Sequence, residues 1–154
     1  MVAVVAPRLA DAEDIQDLPD QVYFKTVVLP DNRVTEYSLE KEGMLSRVTH
    51  RRGKLREESR RRVTLLAWRR FKERILPLRL SEWKREYIPP KRIMDGLNWT
   101  LNVREDGLET TSIGHQMGPD AADPSKSVDM TPACGAVILE RAFEDFFAVL
   151  DPSK

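Results

Sequence analysis

Residues 97–103 alternate strictly between apolar and polar side chains, and no other feature of the sequence constrains the fold as strongly. The apolar members are Leu97, Trp99, Leu101 and Val103. A period of two is typical of a strand with one buried face. The dipeptide Asp106-Gly107 follows, and it is a strong signal for a two-residue hairpin turn. We therefore predict a β-hairpin whose second strand runs from Leu108 to about His115.

Four strands are predicted to precede this hairpin and to form a meander. They lie at 22–29, 34–41, 44–51 and 55–63. The first strands are rich in β-branched and aromatic residues, and turn residues separate them at Pro30-Asp-Asn32 and Glu42-Gly43. The fourth strand contains many arginines, which suits the edge of a sheet because charge there prevents pairing with another chain.

The first predicted helix covers residues 64–76. Thr64 can act as its N-cap, and Val63 and Trp68 have the spacing of a hydrophobic staple. The apolar positions on one face of this helix are Ala67, Trp68, Phe71 and Ile75. Pro77 is expected to end the helix.

The second predicted helix covers residues 132–150. Either Asp129 or Thr131 is expected to cap it, with Pro132 in the first turn, where a missing amide has no cost. The buried stripe of this helix consists of Leu139, Phe143, Phe146 and Leu150. Residues 114–130 are rich in Gly, Pro, Asp and Ser without any period, so we expect a long exposed loop there.

A chain of 154 residues suits one core, because two cores of roughly 75 residues each would be marginally stable. Residues 1–20 are acidic and lack periodicity, so we expect an N-terminal arm followed by a single domain at 21–154. Consecutive hairpins predict antiparallel pairing. The predicted fold class is α+β, with an antiparallel sheet formed by the N-terminal meander and the later hairpin. Two principal helices are expected to pack on this sheet.

The formal net charge of +0 conceals a strong asymmetry along the chain. Residues 47–92 contain seventeen basic and five acidic side chains, a balance of +12, whereas the remainder contains eight basic and twenty acidic ones, a balance of −12. Two interpretations are open. The basic segment is neutralised locally on a solvated surface, or one face stays positive and binds an acidic protein or a nucleic-acid backbone.

The predicted partner-binding surface combines the arginine-rich hairpin with the polar face of the first helix. Its candidate residues are Arg51, Arg52, Lys54, Arg56, Arg60, Arg61, Arg62, Arg69 and Arg70. Eight of these nine residues are arginine. A guanidinium group makes paired hydrogen bonds to a carboxylate or phosphate that an ammonium group cannot make, so the composition favours recognition of such anions.

The sequence predicts no enzyme, cofactor, metal site or small-molecule substrate. Cys134 lies near a helix N-terminus, where the helix dipole can lower a thiol pKa, but a small buried residue is the favoured interpretation. His50 and His115 are 65 residues apart and have no ligand-pair spacing. The acidic residues at 120–129 lack the spacing of a calcium-binding loop, and no glycine-rich phosphate loop occurs.

Four short stretches resemble a group of small, largely uncharacterised bacterial α+β proteins. They are Leu80-Ser-Glu-Trp83, Tyr87, Asp95-Gly96 and Trp99-Thr-Leu101. The group pattern places a Trp near the end of a capped helix, a Tyr four residues later, then Asp-Gly-x-x-Trp-x-Leu at the start of a hairpin. Some members look like immunity or defence-locus accessory proteins. A short segment typical of the group before the last helix is replaced here by 114–130, so no role is carried over for it.

We therefore expect a non-catalytic accessory protein that binds a protein partner with an acidic surface. The resemblance implies a bacterial immunity or antiviral defence context. The alternative is a nucleic-acid-binding protein that uses the basic segment 47–92. A single cysteine, no signal-peptide pattern and no window of about 20 apolar residues predict a cytoplasmic protein that does not enter a membrane.

Overall fold

A computed structural model describes residues 21–40, 43–51, 54, 56–90, 96–105 and 107–150. The strands are β1 (Gln21–Leu29), β2 (Arg33–Glu40), β3 (Met44–His50), β4 (Glu57–Arg62), β5 (Glu86–Tyr87), β6 (Gly96–Glu105), β7 (Leu108–His115), β8 (Met117–Pro119) and β9 (Ser127–Asp129). The helices are α1 (Leu65–Ile75) and α2 (Gly135–Ala148). The predicted acidic arm at 1–20 lies outside the described residues, as do Arg52 and Asp95.

Seven strands form one sheet in the order β4-β3-β2-β1-β6-β7-β5, and β8 pairs with β9 in a separate hairpin. All neighbours in the large sheet are antiparallel except β5, which pairs with β7 in parallel. The predicted meander and later hairpin are therefore confirmed. The fold is α+β, with two helices and a mostly antiparallel sheet, as the alternating pattern at 97–103 indicated.

The register of the central strands determines which side chains face the helices. Phe24 on β1 pairs with Tyr37 on β2 and with Leu101 on β6, so these three buried side chains form one apolar row. Residues one position along each strand point to the opposite face. The helices bury the apolar rows, and the opposite face carries many polar side chains together with the buried Val34 and Val48.

The start of α1 follows the predicted capping chemistry. The Thr64 side chain accepts a hydrogen bond from the Ala67 amide, and Val63 and Trp68 are both fully buried. The α-helix ends at Ile75, two residues before Pro77. Residues 76–78, which include Pro77, then continue as a 3₁₀ turn. Arg79, in a left-handed conformation, then redirects the backbone.

The start of α2 differs from the prediction. The helix begins at Gly135 after Cys134, which provides no side-chain cap, so Pro132 lies before the helix rather than in its first turn. An antiparallel bridge between Asp120 and Cys134 holds Cys134 itself in extended backbone, and residues 131–134 form a turn in which the Cys134 amide donates to the Thr131 carbonyl. The Ala121 amide also donates to the Ala133 carbonyl, and this pairing delays the helix by one turn.

Residues 114–130 do not form the predicted long exposed loop. They contain the end of β7, both strands of the β8–β9 hairpin, and four buried positions, Gly114, Gly118, Pro119 and Pro124. The Trp99 indole donates to the Met117 carbonyl at 2.9 Å, and the Tyr87 hydroxyl donates to the Pro124 carbonyl at 2.7 Å. Strands of three residues are too short to display a period, which explains why the pattern missed them.

Two aromatic residues between α1 and β6 are also buried. Trp83 and Tyr87 are 4% and 1% exposed, and both rings contact Trp99. All three tryptophans of the chain therefore face the core.

Gly114 occupies a position that tolerates no side chain, and its replacement tests the packing around Trp99. A Cβ atom there would lie 2.2 Å from the Trp99 indole nitrogen and 2.3 Å from the Met117 carbonyl oxygen. Gly114→Ala should therefore lower the free energy of unfolding by about 3 kcal/mol, as expected for overpacking. Urea denaturation measures the change. Thr111→Ala at an exposed position of the same strand is the control, and an equal loss in both variants would contradict this packing.

Candidate partner-binding site

The three consecutive arginines on edge strand β4 point to different faces of the sheet. Arg61 pairs with Leu45, which is fully buried against the helices, so Arg61 faces the helical layer. Arg60 and Arg62 are offset by one residue and point to the opposite face. The sequence places these side chains together, whereas the strand geometry separates them.

Arg61 binds the C-terminal end of α2 and is half-buried. Its Nη1 donates to the carbonyl oxygens of Phe147 at 2.7 Å and Leu150 at 2.9 Å. Its guanidinium carbon lies 3.8 Å from the centre of the Phe147 ring, and the guanidinium of Arg47 contacts the same ring at 4.1 Å. A cation is favourable at a helix C-terminus because unpaired carbonyls make that end negative. The expectation that Arg61 belongs to an exposed binding surface is therefore corrected.

The remaining predicted arginines on β4 and α1 are exposed. We call the set formed by Arg60, Arg62, Arg69 and Arg70 the basic edge. Within the part of the chain that the structure describes, no carboxylate lies within 4 Å of these four guanidinium groups. Arg56, at the start of the edge strand, is also exposed. The four arginines of this edge thus form no ion pair with a described carboxylate.

Other cations of the basic segment do have partners. Arg74 on α1 forms an ion pair with Asp145 on α2 at 2.6 Å, and Arg79 lies 3.5 Å from Glu82. Local neutralisation therefore applies to part of the segment 47–92. The basic edge is the part to which it does not apply.

Arg51 and Lys54 lie apart from the basic edge, at an open cleft on the helical side of the sheet. The cleft has a volume of about 610 Å³ and is lined by Arg33, Thr35, Thr49, His50, Arg51, Lys54 and Glu57. The sequence prediction missed Arg33 and the two threonines. In the β2–β3 register, Val34 pairs with His50. This pairing brings Arg33 next to Arg51.

A second groove separates the two helices on the side away from the sheet. Its volume is about 360 Å³, and Ala67, Phe71 and Phe146 contribute apolar surface to it. Arg70 of the basic edge lines this groove together with Val149, which is 61% exposed. Leu66, one residue before Ala67, is 59% exposed. The basic edge therefore adjoins exposed apolar side chains.

Cys134 and His115 do not form a catalytic pair. Cys134 is fully buried on the helical side, and its Sγ lies 3.7 Å from Met130 Sδ. His115 pairs with Asn98 and points to the opposite face of the sheet. Burial raises the pKa of the Cys134 thiol, and the hydrogen bonds from the helix amides of Ala136 and Val137 oppose this rise only in part. The lowered thiol pKa that a helix N-terminus can produce is therefore not found.

A polar cluster that the sequence prediction missed lies on the face opposite the helices. The Tyr23 hydroxyl donates to Glu36, and His50 Nε2 lies 3.8 Å from the same carboxylate. Burial and the Glu36 contact raise the pKa of Tyr23 well above its usual value. Only the strand register reveals this cluster, since its members are distant in sequence.

Across the described residues, no group of three or more His, Cys, Asp or Glu side chains is placed to hold a metal ion. No described helix is both long enough and apolar enough to cross a membrane. No protein-family model matches the sequence, and no curated protein matches it with significant similarity.

The role of Arg61 can be separated from that of its neighbour by a matched pair of variants. Arg61→Gln removes two charged hydrogen bonds and a cation–π contact, and it should lower the free energy of unfolding by about 2–3 kcal/mol. Arg60→Gln changes an exposed side chain and should alter stability by less than about 0.5 kcal/mol. Chemical denaturation of both variants is the measurement. Equal stability of the two proteins would refute the helix-capping role of Arg61.

Glu140 on α2 is a destabilising carboxylate whose effect depends on pH. Its Oε2 is buried without a hydrogen-bond partner among the described residues. Burial raises the pKa of this carboxyl, the neighbouring Glu144 adds to the rise, and Arg141 and Arg33 oppose it. The folded state thus favours the protonated form of Glu140. The stability that this form provides is fully present below about pH 4.3, the usual pKa of glutamate, and is lost as the pH rises through the raised pKa of the folded state.

Glu140→Gln should therefore stabilise the protein at pH 7 and lose this advantage below about pH 4. Thermal unfolding across this pH range measures the difference. Glu73→Gln, at an exposed site on α1, provides the control and should show no such trend. A Glu140→Gln variant that is less stable than the parent at pH 7 would contradict the assignment.

Proposed function

We propose that this protein is a non-catalytic accessory protein that binds the acidic surface of a protein partner through its basic edge. The observation that supports the proposal is the set of four exposed arginines on β4 and α1, none of which forms an ion pair within 4 Å with a described carboxylate. Exposed like charges in this arrangement destabilise the free protein slightly by mutual repulsion. A partner that supplies carboxylates removes that repulsion.

The apolar surface beside Arg70 favours a protein over a nucleic acid as the partner. Protein interfaces combine a desolvated apolar centre with a charged rim, and arginine is enriched among the residues that contribute most to binding. Leu66 and Val149 provide exposed apolar side chains next to the arginines of α1. A nucleic-acid backbone offers phosphates for the arginines but no counterpart for these aliphatic groups.

The second candidate function is nucleic-acid binding, and the excess charge of +12 over residues 47–92 is the observation that favours it. Arginines on both sides of the sheet edge can contact phosphates without reading bases. Such binding would weaken steeply with salt, because counterions are released from the nucleic acid.

The proposed biological setting is bacterial immunity or antiviral defence in the cytoplasm. The setting derives from the resemblance of the Trp83, Tyr87 and Trp99 stretches to defence-locus accessory proteins, and the compartment derives from the single cysteine. The absence of a catalytic role is part of the same proposal.

The test is affinity capture with the full chain as bait, from a lysate of the source organism, with and without nuclease. Arg60→Glu combined with Arg70→Glu reverses two charges of the basic edge. Arg104→Glu combined with Lys126→Glu reverses the same number of exposed charges elsewhere and is the matched control. We expect the captured protein to bind the first variant at least about tenfold more weakly and the control as tightly as the parent.

Thermal unfolding of both variants confirms that each is folded before capture. Capture that survives the reversal of Arg60 and Arg70 would show that the basic edge is not the site. Capture that nuclease abolishes in the parent protein would replace the protein partner by a nucleic acid.

A further inference from the structure

The helical side of the sheet changes from apolar to polar at one row of residues. The row that contains Phe24 and Tyr37 packs against Phe143 of α2. Two residues further along the strands, Thr26 pairs with Thr35, Thr35 with Thr49, and Thr49 with Glu57. Thr26 is buried beside Trp99 at one end of this row, whereas Thr35 and Thr49 are only partly buried, so the exposed part of the row lies on β2 and β3.

This polar row forms the floor of the open cleft described above. Thr35 and Thr49 are cross-strand neighbours, and both line the cavity of about 610 Å³. That volume lies within the range of about 300–1,000 Å³ that is typical of small-molecule sites. The floor belongs to two paired strands in the middle of the meander, so its hydroxyl groups are held at fixed spacing.

The walls of the cleft are predominantly cationic. Arg33, Arg51 and Lys54 contribute three positive charges, and Glu57 is the carboxylate among the lining residues. Within the described residues, no carboxylate approaches any of the three cations to within 4 Å. His50 also borders the cleft, but its imidazole lies near Glu36 on the opposite face of the sheet and does not point into the site.

We propose that this cleft binds a small phosphorylated molecule through its phosphate groups. Guanidinium and ammonium groups donate charged hydrogen bonds to phosphate oxygens, and threonine hydroxyls donate to the oxygens that the cations leave free. Two adjacent phosphate groups match the three cations better than one does, and they would compete with the weaker attraction between Arg33 and Glu140. The recessed floor selects a small ligand, since a polymer backbone would contact an exposed ridge such as the basic edge.

This site is separate from the proposed partner surface and does not depend on it. Arg33 and the threonines belong to β2 and β3, whereas the basic edge consists of the outward side of β4 and the exposed face of α1. Arg51 and Lys54 line the cleft and are not part of the basic edge. A variant of each site therefore leaves the other site intact.

The experiment is a titration of the full chain with inorganic pyrophosphate, followed by amide chemical shifts and by calorimetry. We expect saturable binding with the largest shifts at Thr35 and Thr49. Arg33→Gln should weaken binding by about tenfold, as expected for loss of a charged hydrogen bond. Arg69→Gln removes the same charge from the exposed face of α1 and should leave the affinity unchanged.

Three outcomes would overturn the proposal. The first is the absence of saturable shifts with pyrophosphate. The second is an equal loss of affinity in Arg33→Gln and Arg69→Gln, as diffuse charge attraction predicts. The third is tighter binding of a single-stranded oligonucleotide without terminal phosphates, with shifts centred on the basic edge. Thr49→Val, which keeps the side-chain shape, supplies a further check, because its affinity should fall while the protein stays folded.

Discussion

Packing around Phe143 is the interaction on which the rest of the structure depends. Its ring lies 4.9 Å from Phe71 of α1, 5.1 Å from Tyr37 of β2 and 6.3 Å from Phe24 of β1, measured between centroids. One side chain thus joins both helices to the centre of the sheet. Such aromatic contacts add to the hydrophobic burial of the rings. In the next row of the sheet, Thr26 on β1 is still buried, whereas Thr35 on β2 and Thr49 on β3 are partly exposed and form the floor of the open cleft.

The position of α2 also divides the arginines of the chain into two classes. Arg47 and Arg61 face the helical layer and contact Phe147, so their charge stabilises the end of α2. The basic edge faces solvent, and its charge is available to a partner. A count of basic residues over 47–92 therefore overstates the positive charge on the surface. The strand register determines which arginines contribute to that exposed charge.

Much of the fold could be predicted from the sequence because local chemistry and period agree there. Thr64 caps α1 as its spacing from Ala67 requires, and the turn at Gly107 joins the two predicted strands. The site was less predictable. Three consecutive arginines provide no contrast between polar and apolar positions, so only the pairing with buried Leu45 identifies Arg61 as the inward one. The cleft lies on the three consecutive strands β2, β3 and β4, which were predicted, but the periodicity of each strand does not give the register that brings Arg33 and Thr35 beside Thr49 and Arg51.

Arg61 and Arg47 serve the fold, and we propose that the outward arginines of the basic edge are free to bind a partner. Nitrogen-detected NMR of the arginine side chains tests it directly in the free protein, because a bound guanidinium rotates and exchanges its protons slowly. We expect slow rotation and protected Nη protons for the Arg61 guanidinium. For Arg60 and the other members of the basic edge, we expect Nη signals averaged by fast rotation. Averaged, rapidly exchanging signals for Arg61 that match those of Arg60 would contradict it.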